Sequence, residues 1–278
     1  MENFDLISDI HLDFWISKFR NSNEPVEEII EKFVELILPN EISDVLVIAG
    51  DLGHHNEQNY KFLTQLKKYY KFIIIVPGNH DYYLINSTAK YKYNTNSTNR
   101  WKEMKKLGGY LEGVHFLEGD LLNIDGVTFG GTGMWYDFSY GIIELNKKQH
   151  EMSSIWYEEM NDGKYIFGSQ KNIFYWFNKE LKQLESIIEK SDIIITHVGP
   201  DWSKIPEKYK LDPITGCYFF NGEEQLKKCS GKIWCFGHTH NKNSYIKNNC
   251  WLINNSLGYP GESRHNISKI ANIPINTN

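Results

Sequence analysis

Arginine is nearly absent from this chain of 278 residues. Of its 30 basic residues, only Arg20, Arg100 and Arg264 carry a guanidinium. Arg supplies the bidentate fork that clamps phosphate, whereas Lys supplies a point charge, so this scarcity limits how phosphate can be clamped. Positive charge is short as well. The formal net charge is −5, with a pI near 6.1, which gives no global attraction to nucleic acid or to an anionic membrane. Cysteine is scarce: Cys217, Cys229, Cys235 and Cys250 contain no C-x-x-C pair, against a zinc ribbon or redox motif. Cys235 falls inside an apolar run and reads as a small buried residue. No apolar run approaches the roughly 18 residues of a membrane span. The start of the chain has neither the basic segment nor the long apolar segment of a signal peptide. These absences predict a protein of the reducing cytoplasm with no membrane partner.

What is abundant is short apolar runs that end in polar turns. Residues 4–7 precede Asp9-Ile10-His11, and 45–49 precede Gly50-Asp51. Residues 72–76 precede Gly78-Asn79-His80-Asp81, 193–195 precede Thr196-His197, and 233–236 precede Gly237-His238-Thr239-His240. Short β-branched runs of this kind read as buried strands. Ligands of open α/β sheets bind beyond the carboxyl ends of strands. Five such ends can deliver two Asp, one Asn and five His to one place, enough for two metal ions and a catalytic group.

The first half alternates strand and helix, with a helix from Pro25 stopped at Pro39 and another over 57–70. This order predicts parallel pairing with helices outside. Residues 86–99 read as a long exposed loop, followed by a helix over 100–107. Runs at 114–117, 121–124 and 127–130 read as an antiparallel cluster. Residues 135–168 read as an irregular segment with a helix near 142–160, able to act as a lid, and 171–190 as a strong helix. The tail from about residue 262 reads as polar and loose. Ligand candidates lie near both ends of the chain, so a single domain over 1–278 is the simplest account. An aromatic content of 14% supports a sizeable core.

Carboxylate, imidazole and amide oxygen suit borderline divalent metals. A carboxylate can bridge two ions, and Asp51, midway in the set, is the candidate. Such a pair would grip a phosphoryl group and lower the pKa of a shared water towards about 7. A nearby imidazole would protonate the leaving oxygen. His80 is placed for that role, with Asp81 beside it to orient the ring. His54, Trp135 and Tyr136 are candidates for substrate contact. Packing is the plain alternative for both aromatics, and residues 258–262 could border the pocket.

Taken in order, these motifs resemble the calcineurin-like metallophosphoesterase family, whose pattern is D-x-H, G-D-x-x-D, G-N-H-[D/E], a lone His, then G-H-x-H. The resemblance implies a four-layer α/β/β/α sandwich of two mixed sheets flanked by helices. It also implies two metal ions, with Asp9, His11, Asp51 and His240 on one and Asp51, Asn79, His197 and His238 on the other. Mn²⁺ is the first choice of metal, with Fe, Zn or Ni as alternatives. His80 would be the general acid. One departure stands out: three residues after Asp51 the chain has His54 in place of Asp. This argues against a protein phosphatase. The expected substrate is a small, nucleotide-like phosphodiester or phosphomonoester, with nucleic acid entering only as a substrate. A metal-free binding scaffold is the rival of a different class.

Overall fold

The structure is a computed structural model; it describes residues 1–20, 24–168, 172–262, 267 and 269–275. In chain order the elements begin with β1 (Asn3–Ile7), α1 (Leu12–Phe19), α2 (Val26–Ile37), β2 (Val45–Ala49), α3 (Asn56–Leu66) and β3 (Phe72–Val76). Next come α4 (Ser87–Lys92), α5 (Ser97–Gly108), β4 (Val114–Phe116), β5 (Asp120–Ile124) and β6 (Val127–Gly131). The second half holds α6 (Ser139–Ile143), α7 (Gln149–Glu158), α8 (Asn161–Tyr165), α9 (Ile173–Ile187), β7 (Ile193–Ile195) and α10 (Glu223–Leu226). It closes with β8 (Ile233–Phe236), β9 (Asn243–Lys247), β10 (Cys250–Asn254) and β11 (Ala271–Pro274).

The strands form two sheets, ordered β11-β1-β2-β3-β4 and β5-β6-β7-β8-β10-β9. Alternation along each strand explains the layers. Val45, Val47 and Ala49 of β2 and Ile74 and Val76 of β3 meet Phe129, Ile193, Ile195 and Cys235 of the other sheet. The intervening Leu46, Ile48, Ile73 and Ile75 turn outward to Ile30, Phe33, Phe62 and Leu63 of α2 and α3. Strands buried on both faces are apolar at every position, which is why they read as unbroken runs. The result is the α/β/β/α sandwich of two mixed sheets. β1, β2, β3 and β4 run parallel, as do β6, β7, β8 and β10. Among the described residues, no helix is long and apolar enough to cross a membrane.

Several local expectations change. Residues 86–99 are not a plain loop: the Asn86 carboxamide accepts from Ala89 N and caps α4, and Asn96 accepts from Thr98 N and caps α5. Asn at an N-cap satisfies a free amide of the first turn. Strand β4 does not join an antiparallel cluster but pairs parallel with β3, Ile73 opposite Val114; only β5 and β6 form the hairpin. The tail is not loose where it is described. Ile270 N donates to Ile37 O, and β11 pairs antiparallel with β1. The Asn255 carboxamide donates to both Leu6 O and Lys269 O, tying that strand down. Residues 263–266, 268 and 276–278 of the tail, and the start of the 171–190 helix, lie outside the described residues.

Segment 135–168 is packed rather than lid-like. Trp135, Tyr136, Phe138, Met152 and Trp156 are all buried in the outer core. It is anchored by Glu180 of α9, whose buried carboxylate accepts from Met134 N, Trp135 Nε1 and Thr132 Oγ1. Burial pushes the Glu180 pKa up to about 7, against those hydrogen bonds. Between about pH 4.5 and pH 7 the unfolded chain releases a proton that the native state keeps. Stability therefore falls with rising pH across that window and levels off above it, by a total on the order of 3 kcal/mol. Urea midpoints measured from pH 4.5 to 8 should show this slope, and Glu180→Gln should flatten it.

Candidate metal centre

The end of the sandwich where β1, β2 and β3 of one sheet and β7 and β8 of the other finish gathers every motif singled out from the sequence. The chain turns sharply as it leaves these strands. Asp9, His11, Asp51, His238 and His240 all adopt left-handed backbone, with φ between 45° and 69°. Asp and His tolerate that region better than most residues, yet it is sparsely populated, and such outliers concentrate at functional sites. The loops are also pressed together. A Cβ on Gly78 would lie 2.2 Å from Asp51 Oδ1, and one on Gly237 would lie 2.6 Å from Asp9 Oδ2. The glycines of the G-N-H-D and G-H-T-H motifs therefore make room for the neighbouring carboxylates.

Three overlapping sets of donor atoms result, each lying within 4.8 Å of one another: Asp9, His11 and His240; Asp9, Asp51 and His197; and His11, Asp51 and His80. Asp51 Oδ2 lies 3.7 Å from His11 Nε2 and 3.4 Å from His197 Nε2, between the two halves of the cluster. His240 Nε2 is 3.5 Å from Asp9 Oδ1 and 2.9 Å from His11 Nε2. Asn79 Oδ1 is 3.0 Å from His197 Nε2.

A second layer aims these groups. His197 Nδ1 donates to Ala49 O at 2.9 Å, His240 Nδ1 to Glu262 Oε2 at 2.8 Å, and His238 Nε2 to Cys217 O at 3.0 Å. Fixing one imidazole nitrogen in this way commits the other to the site, so His238 has only Nδ1 to offer. The Asn79 amide donates to Asp162 Oδ1 at 2.7 Å, which turns its oxygen inward. Asp162 is itself buried and accepts from Tyr83 and Tyr136 hydroxyls. Sequence reasoning missed Asp162, Asp13 and Arg100. Each lies outside the strand-end motifs, and nothing local distinguishes it from a surface charge. Glu262, bordering the pocket as the sequence suggested, supports His240.

Two expectations need correcting. Asp81 does not orient the His80 ring. Its carboxylate accepts from Asp51 N, Leu52 N and Gly78 N, stapling the second and third ligand loops together. The His80 ring instead meets His54 Nε2 through Nδ1 at 3.0 Å and the Tyr259 hydroxyl through Nε2 at 3.4 Å. Trp135 is a core residue, its indole held by Glu180. Tyr136 is 1% exposed and stacks on His238 at 6.0 Å, backing the site rather than lining it. His54 is inside the site's wall, while His55 is exposed and precedes α3. Arg100 is buried and donates to the carbonyls of His80 and Gly53, so the sole buried arginine among the described residues serves backbone.

The electrostatics fit a bound cation. Burial alone would raise Asp9 and Asp51, yet surrounding imidazoles hold Asp9 below the usual carboxylate range and Asp51 well below it. Burial opposes a charge on His197, but Asp51 beside it pushes the ring up to about 10. Two ionised carboxylates with almost no solvent contact require compensating positive charge; Arg100 points elsewhere, so either a protonated His197 or a bound cation supplies it. The His11 and His240 Nε2 atoms converge, and His11 Nδ1 is buried without a hydrogen-bond partner. Carboxylate, imidazole and amide oxygen together suit a borderline divalent ion. If Asp162 fixes Asn79, Asp162→Ala should weaken divalent-cation binding about 10- to 100-fold with the fold retained, read by calorimetric titration of Mn²⁺ and by circular dichroism.

The pattern of the family described as Calcineurin-like phosphoesterase matches residues 3–242. Uncharacterized protein L509 of Acanthamoeba polyphaga mimivirus is 27% identical over 255 residues, covering 85% of each chain. The crystal structure of phosphopantetheinyl hydrolase (PptH) from Mycobacterium tuberculosis superposes with a TM-score of 0.66 at 16% identity, covering 97% of this chain and 95% of that one. The match spans every ligand loop from Asp9 to His240, and the chain belongs to the calcineurin-like phosphoesterase family.

Proposed function

We propose that this phosphoesterase hydrolyses a small, nucleotide-like phosphodiester or phosphomonoester with two divalent ions, Mn²⁺ first among them. Asp9, His11, Asp51 and His240 would hold one ion; Asp51, Asn79, His197 and His238 would hold the other. The observation that carries the reading is the convergence of buried carboxylate and imidazole atoms on both sides of Asp51. Bound ions supply Lewis acidity toward the phosphoryl oxygens and a water of lowered pKa as nucleophile. His80 then hands a proton from Nε2 to the leaving oxygen. Burial holds His80 well below its ordinary pKa, and the negative charge of an arriving phosphoryl group favours its protonated form.

The substrate reading rests on the cavity above the ligands. It encloses about 680 Å³ and is reached by Asp51, Asn79, His80, His238 and His240. Volumes of this order suit a small organic ligand. Tyr209, Tyr218, Tyr245 and Tyr259 line it, and Lys204 and Lys208 add positive charge. Tyrosine faces accept a flat ring by stacking, and one or two lysines suit a single further anionic group. A nuclease would need a basic groove, whereas Glu159, Asp201, Asp212 and Glu262 line this cavity.

Hydrolysis of bis-p-nitrophenyl phosphate and p-nitrophenyl phosphate, after chelation and add-back of Mn²⁺, Ni²⁺, Zn²⁺ or Mg²⁺, tests the reading. Metal-restored turnover is expected; none with any metal, in folded protein, would overturn it. A phosphopantetheinyl ester joins nucleotides on the follow-up panel because of the fold neighbour's stated activity. His80→Ala should lower kcat by about 10²–10⁴ with metal content kept. Asp51→Asn should reduce metal loading at both positions by elemental analysis, and full loading would remove Asp51 as the bridge.

A further inference from the structure

The geometry points to His54, clamped by Asp13, as the positioning residue that aims His80 at the reacting bond. This rests on the reading of His80 given above and goes beyond it, because the family pattern has Asp where His54 stands.

Asp13 holds His54 at two points. One carboxylate oxygen accepts the backbone N–H of His54 at 3.0 Å, and the other faces the ring Nδ1 at 2.9 Å. A carboxylate offers only acceptors, and Asp13 already accepts the backbone N–H of His54 through one of its oxygens. Nδ1 of His54 is therefore the donor. This leaves Nε2 for one partner, and that partner is His80 Nδ1 at 3.0 Å. The approach is possible because residue 53 is glycine: a Cβ there would sit 2.9 Å from Asn59 Oδ1 and 3.1 Å from Asp13 Oδ1. Neighbouring rings fix the pair as well. The His54 and His80 planes lie within 26° of each other with centroids 5.1 Å apart, as the shared contact requires; His54 stacks on Tyr83 at 5.7 Å, while Phe14 packs edge-on at 5.7 Å.

The consequence for His80 is directional. With Nδ1 engaged by His54, only Nε2 faces the cavity, where the Tyr259 hydroxyl marks its aim. The arrangement follows the orienter–base–reactant logic of catalytic triads, with one further ring in the chain. His54 joins Asp13 to His80 through its two ring nitrogens, and Asp13, from the first turn of α1, supplies the anchoring charge.

The test uses the full-length, Zn²⁺-loaded protein in two arms. In the first, side-chain ¹H–¹⁵N spectra of His80, assigned by comparison with His80→Ala, should show a slowly exchanging ring N–H that disappears in His54→Ala. Asp13→Asn, a milder change, should shift it. An unchanged His80 ring signal in both variants would overturn the proposal whether or not the protein is a phosphoesterase. In the second arm, phenyl and p-nitrophenyl phosphate esters are compared. His54→Ala should lower kcat on the phenyl ester about 10- to 100-fold, with KM and metal content nearly constant. The p-nitrophenyl ester, whose leaving group needs little protonation, should slow less than threefold. Equal losses on both esters would show that His54 does not act through His80. A spectral change in the first arm with wild-type protein inactive on every ester would sink the proposed function and leave the positioning geometry standing.

Discussion

The structure depends on keeping two carboxylates, Asp9 and Asp51, ionised side by side where water does not reach them. Their mutual repulsion and desolvation would force one to take up a proton. Instead, imidazoles ring them, and backbone amides reach in: His238 N to Asp9 and His80 N to Asp51. The loops take left-handed turns to make this possible. That conformation costs of order 1–3 kcal/mol per residue and persists only where the surroundings over-determine it. The surroundings here are two sheets locked through a shared apolar layer, with Asp81 stapling two loops and Arg100 tying down the carbonyls beside them. The sandwich is the rigid body that offsets the strain of the site.

The parts legible in sequence were those with strong local signals. Strands buried on both faces show as apolar runs, and ligand loops show as Asp, Asn or His immediately after them. The strand–helix alternation and the gathering of Asp9, His11, Asp51, Asn79, His80, His197, His238 and His240 beyond the strand ends follow from that alone, whereas the four-layer sandwich was implied by the family resemblance. What was not legible is set by partners distant in the chain. Asp162 looks like any acid on a short helix until it is found 83 positions from Asn79, holding its amide. β11 carries no strong strand signal and forms because β1 leaves an edge to pair. β4 reads the same whether its partner is β3 or β5. Asp81 was misread for a related reason: adjacency in sequence suggested contact with the His80 ring, but a tight turn sends neighbouring side chains apart.

The same division separates the ligands from the residues that hold them. Ligands need a chemical type at a strand end, so few residues qualify and the pattern is sharp. Supports need only a hydrogen bond to the far side of a ligand. A backbone carbonyl serves His197 and His238, while a half-exposed glutamate serves His240. Such solutions are interchangeable and leave little trace in a single sequence. His54 was noticed because it breaks an expected pattern, while Asp13, its partner, went unremarked two residues from His11.

The cavity sets the last constraint. The cavity above the cluster is lined in part by Tyr83, Tyr218 and Tyr259, and Tyr259 stacks on His11 at 4.4 Å. Under the proposed function, an ester entering by this cavity would pack against aromatic faces before its phosphoryl group met the cluster. Arg100, buried within reach of the site, is spent on two carbonyls, so phosphate recognition would fall to cations held by Asp9 and Asp51. The scarcity of arginine that marks the chain is thus consistent with the proposed chemistry: a centre that holds divalent metal has little need of a guanidinium clamp, and specificity would be left to the tyrosines of the cavity wall together with Lys204 and Lys208.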